Sequence, residues 1–327
     1  MMIGRRDFIT LMGGAAAWPL AARAQQPTMP VVGYLRIGSR AVSMQREAAF
    51  RRGLEDVGYI EGRNIAIDYH YAENQSDRLP ALAADLVRRQ VAVIYAGENA
   101  PAVIAKAATT TIPIVFRVGG DPIQLGLVSS LNQPGSNVTG VTFLSSTVEA
   151  IRLQMLHEAV PTATIMGFLA NATNPNAKPS TKEAQEAAHK LGLELDVAGA
   201  SHPGEIDAAF ATLVQHRVQA LVINGDALFT ERRQQLATLT ARHAMPAIYF
   251  AREFPDAGGL MSYGASAVDA ERLAGLYAGR VLKGEKPADL PIVLPTRFEF
   301  LINLQTAKTL GIEVPPTLLA SADEVIE

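Results

Sequence analysis

The chain has 327 residues, 48% of them hydrophobic and 19% charged, with a formal net charge of −3. That length and apolar share support two domains with separate cores and exclude a largely disordered chain. Lys and Arg number 29 against 32 Asp and Glu, so no global positive field gathers phosphates, and nucleic acid is not an expected partner. Cysteine is absent, which excludes disulfides, thiolate nucleophiles and Cys-ligated zinc.

Residues 1–24 differ from the rest of the chain. Arg5 and Arg6 precede an apolar, Gly- and Ala-rich stretch ending near Leu20, and Ala22-Arg23-Ala24 has the small-x-small form of a signal-peptidase site. The order of charge, apolar core and cleavage site predicts an export leader, cleaved after about Ala24, that resembles the twin-arginine kind; Gly4 in place of the usual Ser or Thr before the pair leaves the general secretory route open. The competing reading is an amphipathic N-terminal helix of a cytosolic protein. With the leader, the mature chain is expected to be soluble and periplasmic.

Short apolar runs at 31–35, 91–95, 112–116 and 138–143, with an alternating run at 65–69, predict the strands of a first lobe. Phe50, Leu54 and Val57 at helical spacing before Gly58 predict a helix, as do Leu79, Leu82, Leu86 and Val87, and then residues 100–108. A short helix is expected before the turn at Gln133. The rhythm repeats beyond it. Strands are predicted at 165–169, 193–197, 220–223, 247–250 and 259–262, with helices at 148–159, 180–191, 206–215, 231–243 and 267–282. A strand at 298–302 and a helix at 306–310 close the chain. Strands alternating with helices imply parallel sheets with right-handed crossovers, and two such runs imply an α/β protein of two doubly wound parallel-sheet lobes. In such sheets a ligand sits beyond the carboxyl ends of the strands.

Catalytic signatures are missing. There is no dinucleotide fingerprint, Walker loop or nucleophile elbow, and no two of the six histidines lie three to five residues apart. No cofactor or metal is expected. What remains is a set of polar loops after strands: Ser39, Asn99 and Asp121 in the first lobe, and Asn171, Asp226 and Glu253 in the second. Each could simply cap or turn the chain. Together they point to one cleft, where Ser and Asn groups and helix amides would hold a carboxylate and Asp or Glu an ammonium group. Tyr34, Phe116, Phe168, Tyr249 and Tyr263 lie near that edge and could be either core or ligand wall.

Several runs together resemble a known family: RRGLEDVGYIEGRN at 51–64, AATTTIPIVF at 107–116, LNQPGSNVTG at 131–140, GGLMSYG at 258–264, LKGEKPADLP at 282–291 and ADEVIE at 322–327. They resemble the ABC transporter substrate-binding proteins related to the tryptophan and tyrosine binders. The resemblance implies a type 1 periplasmic binding protein, with two lobes joined by a three-crossing hinge near 144–147, 262–265 and 290–295. On this reading the first lobe is 28–145 with 265–291, and the second is 146–264 with 292–327. It further implies a monomeric receptor that takes a small amino-acid-like or related organic ligand, does no chemistry on it, and meets a membrane only through an ABC permease and its ATPase. An exported hydrolase and a ligand-sensing module on the same architecture are the alternatives. The chain departs from the family pattern at Asn171-Ala172, often Asn-Pro, and at Gly97-Glu98-Asn99, usually a small uncharged loop.

Overall fold

The computed structural model describes residues 29–143, 148–294 and 297–327. The expected leader over 1–24 and the expected first crossing at 144–147 lie outside the described residues.

The first lobe runs β1 (Val31–Arg36), α1 (Met44–Glu55), β2 (Ala66–Tyr71), α2 (Leu79–Arg88), β3 (Val93–Gly97), α3 (Asn99–Ala108), β4 (Ile114–Val118) and β5 (Val138–Thr142). Its five strands are all parallel, in the order β2-β1-β3-β4-β5. Both faces of the sheet are covered, so its central strands are apolar at nearly every position. Leu35, Ile94 and Phe116 pack on the side of α2 and α3. Val32, Tyr34, Val93, Tyr95 and Val115 pack on the opposite side. The period of two then places Arg36 and Arg117, at the carboxyl ends of β1 and β4, on that second side.

The second lobe runs α4 (Glu149–Ala159), β6 (Ile165–Ala170), α5 (Ala177–Leu191), β7 (Glu194–Gly199), α6 (Ile206–Gln215), β8 (Ala220–Ile223), α7 (Ala227–Glu231), α8 (Arg233–Arg242), β9 (Ala247–Tyr249) and β10 (Met261–Ala265). The chain then makes α9 (Ala267–Leu282) before returning as β11 (Phe298–Asn303), α10 (Leu304–Thr309), α11 (Pro316–Ser321) and β12 (Glu324–Ile326). The seven-stranded sheet has the order β12-β11-β10-β9-β8-β6-β7. One pair, β10 with β11, is antiparallel, which corrects the expectation of wholly parallel sheets. The chain leaves this lobe between the two strands, so the returning strand enters from the opposite end.

Helix α9 belongs to the first lobe although second-lobe strands flank it in sequence. Ala270, Ala274, Tyr277, Ala278 and Val281 join the core under α1 and β3. The two helices meet through glycines. A Cβ on Gly53 would lie 1.9 Å from the Arg272 carbonyl oxygen, and one on Gly275 would lie 2.0 Å from that of Phe50. Only residues without a side chain allow the backbones this close. After α9, Val293 still bridges Val141 in parallel at the first lobe's edge, and Ile292 is buried in that lobe's core.

Three local expectations are corrected. The region before Gln133 forms turns rather than a short helix. The helix expected over 231–243 runs over Arg233–Arg242, and a separate short helix that was not expected, Ala227–Glu231, precedes it. The strands expected at 91–95 and 112–116 start two residues later, at Val93 and Ile114. Pro113 has no N–H for a ladder, and the side chains leading into each strand, Val91-Ala92 and Ile112-Pro113, are themselves apolar.

Candidate functional site

A cleft with a volume of about 150 Å³ lies between the lobes, at the carboxyl ends of the parallel strands. Asn99, Asn171 and Asp226 line it together, as do Glu98, Arg117 and Arg152. Phe143, Phe250 and Phe298 supply its apolar wall. The aromatics singled out from sequence take a different place. Tyr34, Phe116, Phe168 and Tyr249 are fully buried core, and Tyr263 stacks behind Phe298 at 5.7 Å between ring centroids.

Asp226 caps α7. Its Oδ1 accepts from the Leu228 N–H at 2.8 Å and from Asn171 Nδ2 at 3.1 Å, and its Oδ2 accepts from Asn174 Nδ2 at 2.8 Å. Every one of these donors is neutral. Among the described residues, no cationic side chain lies within ion-pair distance of this carboxylate, and Asp226 lines the cleft. Burial accordingly raises its pKa above the ordinary aspartate value, against the lowering effect of the two asparagines and the Leu228 amide.

Asn99 ties the two walls together. Its Oδ1 accepts from the Gly119 and Gly120 amides at 3.0 and 3.1 Å. Its Nδ2 donates across the cleft to Asn174 Oδ1 at 3.1 Å, and Asn174 in turn holds Asp226. Three further contacts join the lobes at the lips. Glu231 accepts from the Ser39 amide at 2.5 Å and from Asn74 Nδ2, and Arg46 Nη2 meets Glu253 Oε1 at 3.3 Å. Ser39 and Glu253 therefore act at the lobe-to-lobe contact and do not line the cleft. Asp121 lies outside it too. Its Oδ1 accepts from the Ile123 amide at 2.8 Å and fixes its own turn.

The largest feature missed from sequence is a buried ion cluster behind the first-lobe wall. Arg36 is 1% exposed and pairs with Glu98 and, at 3.0 Å, with Glu271 of α9. Arg117 meets Glu98 Oε1 at 3.2 Å, and its Nε lies 2.9 Å from Glu271 Oε1, near enough for an ion pair without hydrogen-bond alignment. Tyr95 donates to the other oxygen of Glu271. Burial pulls the Arg36 pKa down, but Tyr34, Glu271 and Tyr95 outweigh it and raise the value above that of a free guanidinium. The signal was in the sequence: Arg117 stands between Phe116 and Val118 in a wholly buried strand, and such a charge needs a counterion. In the second lobe Arg152 is likewise paired, with Glu149 at 2.9 Å. His202 also lines the cleft.

Glu98 stands in an unusual backbone conformation, φ +82° and ψ 166°, a region populated almost only by glycine. Its neighbours hold it there. Oε1 accepts from Arg117 at 3.2 Å and from Arg36, and Oε2 from the Ile37 amide at 3.3 Å.

The family model described as "ABC transporter substrate binding protein" matches residues 40–326. The chain belongs to this family. Its members are solute-binding proteins, not enzymes. A tyrosine-binding protein of Clostridioides difficile is 30% identical over 267 residues, which cover 81% of this chain and 76% of that relative. An ABC domain from Streptococcus pneumonia in complex with L-Trp superposes with a TM-score of 0.83 at 24% identity, over 91% of this chain and 99% of that one. A substrate binding protein from Clostridium difficile, ligand-free and open, scores 0.66 at 24% identity over the same shares of the two chains. The fold is that of type 1 periplasmic binding proteins, as expected from the sequence.

Proposed function

We propose that the protein is the exported receptor of an ABC importer, carried to the periplasm by the leader over 1–24. There it closes its lobes on a small, amine-bearing ligand of amino-acid size. The observation that carries this reading is the Asp226 carboxylate, held by neutral donors in the cleft with no cation beside it among the described residues. A ligand ammonium group supplies the missing charge and makes a charge-assisted hydrogen bond in a sheltered site. Asn171 fixes the carboxylate, and Asn99 links the ligand's seat to the first lobe.

The walls of Phe143, Phe250 and Phe298 suit a flat apolar body, in keeping with the tyrosine and L-Trp named for two relatives. The lobes move as units about the crossings between them. Ligand contacts to both lobes favour the closed state, which a permease with its ATPase reads. The receptor acts as a monomer and releases its ligand unchanged.

Native mass spectrometry of the purified mature protein tests this. A co-purified amine of unchanged mass is expected, lost in Asp226→Asn. If Asp226→Asn binds that ligand as tightly as wild type does, the amine seat is wrong.

A further inference from the structure

The cleft has an unusual charge arrangement. Four guanidinium groups stand in or just behind its walls, and each already has a carboxylate. Arg36 and Arg117 share Glu98 and Glu271, Arg46 takes Glu253, and Arg152 takes Glu149. Asp226 is left without a cation among the described residues. A zwitterion brings both an ammonium group and a carboxylate, but here only the ammonium group meets an unmatched partner.

Glu98 is the residue that removes the second partner. Glu271 is fully buried behind the sheet, whereas the Glu98 side chain is 16% exposed and lines the cleft. It therefore stands in front of Arg36, which does not line the cleft, and beside Arg117, which does and which it pairs at 3.2 Å. It is next in sequence to Asn99, which reaches Asp226 through Asn174, so the amine seat and the Glu98 carboxylate share one small volume. An anion brought to the first-lobe wall would meet this carboxylate in front of Arg36 and already paired with Arg117.

We propose that Glu98 is the protein's own carboxylate on Arg36 and Arg117, and that it makes the cleft select an amine whose first-lobe end carries no carboxylate. The ligand class is then a primary amine with a neutral, apolar body. This rests on the amine seat at Asp226 and narrows it. Removing Glu98 leaves Glu271 alone against two arginines and opens an anion position. Glycine at 98 also relieves the backbone, since φ +82° suits it. Gln at 98 keeps the size and loses the charge, so the two variants separate charge from space.

The test titrates calorimetrically wild type, Glu98→Gly, Glu98→Gln and Asp226→Asn with tyramine and tryptamine, with tyrosine and tryptophan, and with 4-hydroxyphenylacetate. Wild type is expected to bind each amine at least about tenfold more tightly than its amino acid, and not to bind 4-hydroxyphenylacetate, a difference of about 1.4 kcal/mol or more. Both Glu98 variants should erase or reverse that order, and Glu98→Gly should gain 4-hydroxyphenylacetate. Wild type preferring the amino acids, or Glu98 variants that keep the wild-type order and gain no carboxylate probe, overturns the proposal. The carboxylate-only probe does not use Asp226. An amine series unaffected by Asp226→Asn therefore refutes the amine seat, while the Glu98→Gly result still decides the role of Glu98.

Discussion

Arg46 of the first lobe and Glu253 of the second face each other at 3.3 Å across the lips of the cleft. Glu231 makes the same kind of contact nearby, through the Ser39 amide and Asn74. These groups contribute only when the lobes are closed, so they bias the open–closed equilibrium rather than the stability of either lobe.

Glu253→Gln and Glu231→Gln should therefore weaken ligand binding modestly and leave unfolding almost unchanged. The Glu253 side chain is 27% exposed, so each contact is worth on the order of 0.2–1 kcal/mol, up to about fivefold in affinity. Small-angle scattering of the ligand-free variants should give a larger radius of gyration than wild type. An unchanged radius with unchanged affinity would remove these contacts from the closing mechanism.

Asp226→Asn should trade function for stability. Losing a hydrogen bond to a charged group costs about 1.5–3 kcal/mol, on the order of ten- to a hundredfold in affinity for an amine. In the empty protein burial raises the Asp226 pKa above its unfolded value. The stability this group contributes is then fully present below the unfolded pKa and lost as pH rises through the folded one. The empty Asn variant should melt above wild type in alkaline buffer and lose that advantage in acid. Binding runs the other way, because an amine needs the ionised carboxylate, so wild-type affinity should fall as the pH drops. Melting curves and titrations across pH read both effects.

Glu183 offers a separate pH test away from the cleft. Burial beside α4 pushes its carboxyl up to about 7, although its Oε1 accepts from the Ala150 amide at 3.3 Å. By the same sign, its contribution is present at low pH and lost as pH rises through about 7. Glu183→Gln should thus stabilise the protein more at pH ~8 than at pH ~5, a window set by that raised value. A melting-temperature difference that is flat with pH would contradict the raised carboxyl.

Gly275→Ala should be costly for a steric reason. The added methyl would meet the Phe50 carbonyl at 2.0 Å, and backbone cannot yield as a flexible side chain does. A penalty of about 1–3 kcal/mol is expected from urea unfolding, as for other overpacked contacts. Ligand affinity should fall as well, since Glu271 lies one helical turn before Gly275 and moves with it.

Much of this architecture was legible because strands covered on both faces are apolar throughout. Helices 206–215 and 267–282 stood out by their periodicity, and both match to the residue. The end of the chain was less readable: the Pro315-Pro316 segment begins a helix, and Glu324–Ile326 is too short a strand to show alternation. In the site, Asn99, Asn171 and Asp226 were findable as polar residues just beyond strands, where the fold puts ligands. Glu271 was not, because a glutamate within a helix reads as solvated until its distant partners Arg36 and Arg117 are known. Asp121 had the same local signature as Asp226, and nothing local tells a carboxylate that fixes its own turn from one that also faces a cleft.

The placement of α9 has a consequence for how the protein comes to exist. Arg36 and Glu271 are 235 residues apart, and the α1–α9 packing spans a similar separation. During synthesis, the lobe made first lacks one of its covering helices until nearly the whole of the other lobe has been made. Its exposed apolar face has to wait, while β6 to β9 can already pair with near neighbours. The first lobe in sequence is thus completed only after β10 has been made, and the interval in which its core stands open is set by the length of chain from β5 to α9.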